Sequence, residues 1–223
     1  MIELISALLL AGSMPLTHAT APDAVALRVR AYAHRDVDEA TVRAALKAAD
    51  ELLASAGVVV AWRVCDTAQS CPIEDTSVPE VVVILSSRER PNGAENCGMA
   101  AHGARDTAGT VMVSVPCAAG VAFRLTRRAG TRTHPVLAMP RHDDLVGAIV
   151  AHEIGHLLGI GHAPSGLMRA DLEAGDVIAF RLGTLRFSPA EARRMRIAVL
   201  LAGKELSTGS ESAARQRGTD EHR

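Results

Sequence analysis

The residues best placed to do chemistry lie in one short stretch, His152-Glu153-Ile154-Gly155-His156-Leu157-Leu158-Gly159-Ile160-Gly161-His162. An apolar run over residues 145–158 surrounds its first half and predicts a single helix, with Asp143 or Asp144 placed to cap the N-terminus. On that helix His152 and His156 stand one turn apart on the same face, so both imidazoles can reach one ion. Glu153 is rotated about 100° from His152, beside the metal without being a ligand to it. Gly159 falls where the helix would end in a left-handed turn, the conformation glycine adopts at least cost. The chain can then double back and bring in His162 as a third nitrogen. Three neutral imidazoles leave the fourth position of a tetrahedral zinc to water, which is the catalytic rather than the structural arrangement.

A bare His-Glu-x-x-His is short enough to arise by accident on an ordinary helix. The correctly placed glycine and third histidine lower a chance match, at this composition, to on the order of one in ten thousand. With Ser165-Gly166-Leu167-Met168 following, the segment resembles the metzincin clan of zinc metallopeptidases, in which a methionine turn succeeds the zinc helix. The resemblance is specific over about residues 143 to 169. It implies one zinc ion on His152, His156 and His162, Glu153 as general base and proton shuttle, and Met168 packed beneath the metal.

The same resemblance implies an α+β fold of zincin type. Its mixed, mostly parallel sheet packs on two helices, and a small lower subdomain ends in a C-terminal helix. The implied activity is endopeptidase cleavage of an extended peptide or protein substrate. That substrate pairs by strand addition with an antiparallel edge strand near Asn96-Cys97-Gly98-Met99-Ala100-Ala101-His102. Two alternatives use the same residues: hydrolysis of a non-protein amide such as a cell-wall peptide, and zinc binding without turnover, against which the intact Glu153 argues. The sequence also departs from the clan. Met168 follows His162 closely, Ala163 marks no familiar branch, and the only tyrosine, Tyr32, lies far upstream of any fifth-ligand position.

Elements able to position these groups can be read along the chain. Residues 25–33 alternate like a strand, with Leu27, Val29 and Ala31 on one face. Asp36-x-x-Glu39 resembles a capping box, opening a helix whose stripe is Val42, Ala45, Leu46, Ala49, Leu52 and Leu53 and which Gly57 ends. Residues 58–64, 81–85 and 110–115 read as further strands, the second apolar enough for burial on both faces. Ala148, Ala151 and Gly155 give the zinc helix a narrow side, while Val146, Val150, Ile154 and Leu157 fill the face away from the histidines. Residues 118–142 read as an irregular segment containing Arg124, Arg127, Arg128 and Arg132. It is either a solvated insertion or a loop that folds over the cleft and takes part in substrate choice. Residues 170–187 should form the lower cleft wall, with Leu167, Val177 and Ile178 as linings. Ser188-Pro189-Ala190-Glu191 is a capping box whose helix buries Ala192, Met195, Val199 and Leu200 and stops near Gly203. His34, His102, His134 and His142 read as solvated loop histidines.

Composition sets the remaining bounds. The 223 residues, 48% apolar, suit one catalytic domain over residues 22–203, followed by a polar, disordered tail over 204–223. A net charge of −1, from 24 basic and 25 acidic residues, argues against nucleic acid or a membrane surface as partner. Only 2% of residues are aromatic, which argues against base-stacking and sugar-stacking platforms. A monomer is expected. Residues 1–19 read as a secretory signal: the core over residues 4–11 is too short to span a bilayer and Thr17-His18-Ala19 offers a cleavage site, although Glu3 stands where positive charge belongs. A secreted or periplasmic protein follows, and Ala19 to Val25 leaves no room for a propeptide. Four cysteines fit that compartment as two disulfides. Three pairings exist; a local Cys65–Cys71 link would leave Cys97–Cys117. Cys97 as a latency ligand to zinc is a minor alternative.

Overall fold

The computed structural model describes residues 24–65, 71, 78–89, 96–102, 109–129, 141–171 and 173–220. The predicted signal segment and His134 lie outside them. Strand β1 (Val25–Ala33) leads into helix α1 (Glu39–Ser55) and β2 (Val58–Cys65). β3 (Glu80–Ser86), β4 (Gly98–Ala101) and β5 (Gly109–Ser114) follow, then α2 (Val115–Ala129), α3 (His142–Leu157), α4 (Ala174–Arg181) and α5 (Pro189–Asp220). The sheet order is β2-β1-β3-β5-β4, all parallel except β4, which runs antiparallel to β5 at one edge. Among the described residues no helix is long and apolar enough to cross a membrane.

Alternation decides which face of the sheet carries the helices. Leu27, Val29 and Ala31 of β1, with Val81, Val83 and Leu85 of β3 and Val111 and Val113 of β5, are almost entirely buried. Val82 and Ile84 are only half-buried, so β3 is not enclosed on both faces as its unbroken apolar run predicts. The six-residue stripe predicted for α1 is buried throughout. α1 is capped not by Asp36 but by Asp38, whose carboxylate accepts from the Thr41 amide at 2.9 Å and the Thr41 hydroxyl at 2.7 Å. Gly57 closes the helix at φ 77°.

α3 crosses α1 closely because Gly147 has no side chain: a Cβ there would meet the Ala45 carbonyl and the Ala48 Cβ at 2.5 Å. Neither Asp143 nor Asp144 caps α3. Arg141 holds that position without a side-chain bond, and both aspartates sit in the first turn, where they favour the helix dipole. Asp143 is buried because it turns to α1 and His142: the Thr41 hydroxyl lies 3.3 Å from it, and His142 Nε2 lies 2.6 Å away. His142 is therefore a helix residue in a network, not a loop residue. His34 is likewise engaged, 2.7 Å from Ser87 Oγ, whereas His102 is exposed just after β4.

Two segments expected to be irregular are helical. In α2, Pro116 falls in the first turn, where its missing N–H costs nothing, and Ala118, Ala122 and Leu125 supply a buried stripe. α5 opens on the predicted capping box, Glu191 Oε2 accepting from the Ser188 amide at 2.7 Å and Ser188 Oγ from the Glu191 amide at 3.3 Å. It buries Ala192, Met195 and Val199 but leaves Leu200 54% exposed. It also continues past Gly203 to Asp220, through the segment whose polarity predicted a disordered tail. No proline interrupts that segment, and its Glu, Ala, Arg and Gln residues favour helix. Both disulfides, Cys65–Cys71 and Cys97–Cys117, are formed. Cys97 therefore has no thiol to offer a metal.

Candidate metal centre

α3 ends as its sequence dictates. Leu158 donates to the Ile154 carbonyl, and Gly159 adopts φ 78° and donates to the His156 carbonyl. The reversal brings His162 back towards the helix. The imidazole nitrogens of His152, His156 and His162 then converge, with one ligand atom from each within 4.8 Å of the others. Their Nε2 atoms are 2.9 Å apart for His152 and His156 and 3.2 Å apart for His156 and His162. Nitrogens at tetrahedral angles on one zinc, at the usual Zn–N length, would be about 3.3 Å apart.

The hydrogen bonds behind the rings determine what these nitrogens can do. His152 Nδ1 lies 2.8 Å from the Leu167 carbonyl, and His156 Nδ1 lies 2.7 Å from the Ile160 carbonyl. A carbonyl only accepts, so each Nδ1 must donate, and the neutral ring presents a bare lone pair at Nε2. Lone pairs facing each other at 2.9 Å repel unless something positive lies among them. Burial, assisted by the neighbouring His156 and His162, pushes the proton affinity of His152 below its ordinary value, against the opposing effect of the Leu167 carbonyl. The ring is thereby kept unprotonated, with its lone pair available, and a borderline-soft divalent ion suits an all-nitrogen donor set.

The turn from His162 to Met168 closes by Ala163 N–H donating to the Met168 carbonyl at 2.8 Å, which allows the short spacing. Met168 is fully buried against the underside of α3. A Cβ on Gly155 would stand 2.7 Å from the Met168 sulfur and 3.1 Å from Phe187 Cε1. The close packing predicted for the small-residue side is met at Gly155 by Met168 and Phe187.

A cleft of about 760 Å³ runs along α3 past the histidines and Glu153. Leu145, Ala148, Ile149, His152 and His156 all face it, in keeping with their three-to-four spacing. Gly98 and Met99 of β4, with Asn96 and Cys97, form one border, and Leu167 with Arg169, Ala170, Asp171 and Glu173 forms the opposite one. Glu153 is only 8% exposed, wedged against Gly98. Of the predicted linings Leu167 is present; Ile178, on α4, is not among the residues that border the cleft, and the side chain of Val177 lies outside those described. The segment holding Arg124, offered as a loop over the cleft, does border it, but sequence reasoning missed that Val121, Arg124 and Leu125 form a wall from a helix, α2. The three-to-four recurrence of Ala118, Ala122 and Leu125 was the signal that would have found them.

No family model matches this chain, and no curated protein does. Among solved structures it is similar to metalloproteinase-II from Bacteroides fragilis, at 14% identity over 82% of this chain and 55% of that one, with a TM-score of 0.45. It is similar also to archaemetzincin from Methanopyrus kandleri, at 15% identity over 80% of this chain and 97% of that one, with a TM-score of 0.43. The chain thus spans about half the length of the Bacteroides protein. Likeness at this level assigns no function, and the site stands on its own residues.

Proposed function

We propose that this chain is a zinc-dependent endopeptidase, with residues 22–203 as its catalytic domain. The observation that carries the reading is the convergence of three imidazoles, two of them oriented by backbone carbonyls to leave only acceptor lone pairs at the centre. His152, His156 and His162 would hold one zinc ion. Zinc bound there supplies Lewis acidity, acidifying a water towards pKa ~7 and polarising a carbonyl.

The protein's own part follows from the cleft. Glu153, adjacent in sequence to His152 and bordering the same space, takes a proton from the attacking water and returns it to the leaving amine. Burial against Gly98 restricts its rotamers and keeps the carboxylate on the cleft wall. Among the described residues β4 pairs only with β5, so its other edge can add an extended substrate strand through main-chain hydrogen bonds. Met168 supports the histidines from below. Two disulfides support a secreted or periplasmic site of action, and we take the working form to be a monomer.

The test is Glu153→Gln beside His156→Ala. Zinc content by elemental analysis should stay near one ion per chain in the first and fall in the second. Cleavage of a peptide mixture, followed by mass spectrometry, should be lost in both. Turnover by Glu153→Gln comparable to the parent would sink the assignment.

A further inference from the structure

We infer that Arg124 is a specificity determinant of this cleft and binds a carboxylate carried by the substrate. The inference rests on the peptidase reading for its substrate class, peptides, but not on the hydrolytic step.

Helix α2 is fastened near its N-terminus by the Cys97–Cys117 disulfide to the residue preceding β4. At about 100° per residue, Cys117, Val121 and Arg124 fall within about 60° of one another. The helix face held against the edge strand is thus the face that carries the guanidinium two turns further on. Val121, Arg124 and Leu125 border the cleft together with Leu145 and Ile149 of α3. Arg124 is itself exposed, so its guanidinium can meet a substrate that enters the cleft beside these apolar side chains, and a charge-assisted bond formed there is partly screened by water.

Among the described residues, the charged groups bordering the cleft are Arg124, Glu153, Arg169, Asp171 and Glu173. Glu153 is committed to proton transfer in the reading above. Arg169 is bonded to Glu173 and lies 3.7 Å from Asp176, so its charge is already answered. Asp171 is exposed on the far border. Among the described residues no carboxylate pairs with Arg124. Its planar fork of donors suits a carboxylate, and a lysine or arginine of the substrate would be repelled there. That carboxylate can come from an aspartate or glutamate side chain or from a free C-terminus.

Zinc-loaded Glu153→Gln protein serves as a non-hydrolysing host for fluorescent peptides, read by anisotropy. One series is C-terminally amidated, with a single glutamate at successive positions of a neutral sequence. A second replaces that glutamate by glutamine, and a third is the glutamine peptide with a free C-terminus. One glutamate position, or the free terminus, should bind about tenfold tighter than its neutral match. That advantage should shrink as salt rises from about 0.05 to 0.3 M. Adding Arg124→Ala should abolish it, Arg124→Lys should keep part of it, and Arg124→Glu should reverse it in favour of lysine peptides. Which series gains identifies the source of the carboxylate. Equal affinity across all series, absence of binding in all of them, or an advantage that survives Arg124→Ala overturns the inference. A salt-sensitive preference in the host, together with no cleavage by the zinc-loaded parent, indicts the hydrolytic reading alone.

Discussion

Gly98 and Glu153 meet across the wall of the cleft: a Cβ built on Gly98 would lie 2.7 Å from Glu153 Cγ, and closer still to one carboxylate oxygen. The same Cβ would also stand 2.7 Å from Ile149 Cγ2. The edge strand can therefore approach α3 only because residue 98 lacks a side chain. Gly98→Ala should displace either β4 or the carboxylate. We expect kcat to fall by about tenfold or more, since small misplacements of a reacting group are costly, while bound zinc is unchanged. Steady-state kinetics with metal analysis on one preparation checks this; unaltered kcat would show that Glu153 has room to adapt.

Three glycines of the histidine segment should respond differently to alanine. At Gly155 the new methyl meets the Met168 sulfur at 2.7 Å, an overpacking cost of about 1–3 kcal/mol. At Gly159 nothing lies within 4 Å, but φ is 78°, so the cost is about 1 kcal/mol and comes from the backbone alone. Gly161 has neither restriction and should change stability by less than about 0.5 kcal/mol. Urea unfolding of the three variants gives the order directly.

The Cys97–Cys117 link closes a separation of 20 residues and ties β4 to α2. Replacing both cysteines by serine should cost about 3 kcal/mol. Because the link anchors a wall and not the metal ligands, KM should rise more than kcat falls, with zinc content retained. A proportional loss of zinc would mean that the wall also holds the histidine cluster.

The metal-free protein should lose stability in acid through His152. Its folded-state proton affinity is lowered, chiefly by burial, from an unfolded value near 6.5. The unfolded chain then binds the proton more readily. The stabilisation is complete above pH 6.5 and declines as pH falls below it towards the lower folded-state value. Thermal unfolding of chelator-treated protein across that window should show the decline, and His152→Gln should flatten it.

The histidine cluster and the glycine turn were legible because each depends on local spacing along one helix and the bend that ends it. The strands of the parallel sheet and the α1 stripe were legible for the same reason: period two and period 3.6 survive in any context that buries one face. The edge strand at Gly98 came only through the family resemblance. Helix α2 was not legible, since arginine, glycine and proline read as loop chemistry until Pro116 is seen to occupy a first turn and a buried stripe is seen to meet α3. Nor could spacing reveal that Gly98 makes way for Glu153, that Gly155 makes way for Met168, or that the carbonyls of Leu167 and Ile160 set the imidazole tautomers. Those relations join residues on different elements, and close packing in three dimensions decides them. The sequence by itself determined which atoms could hold a metal; only the tertiary structure determined which way their lone pairs point and what borders them.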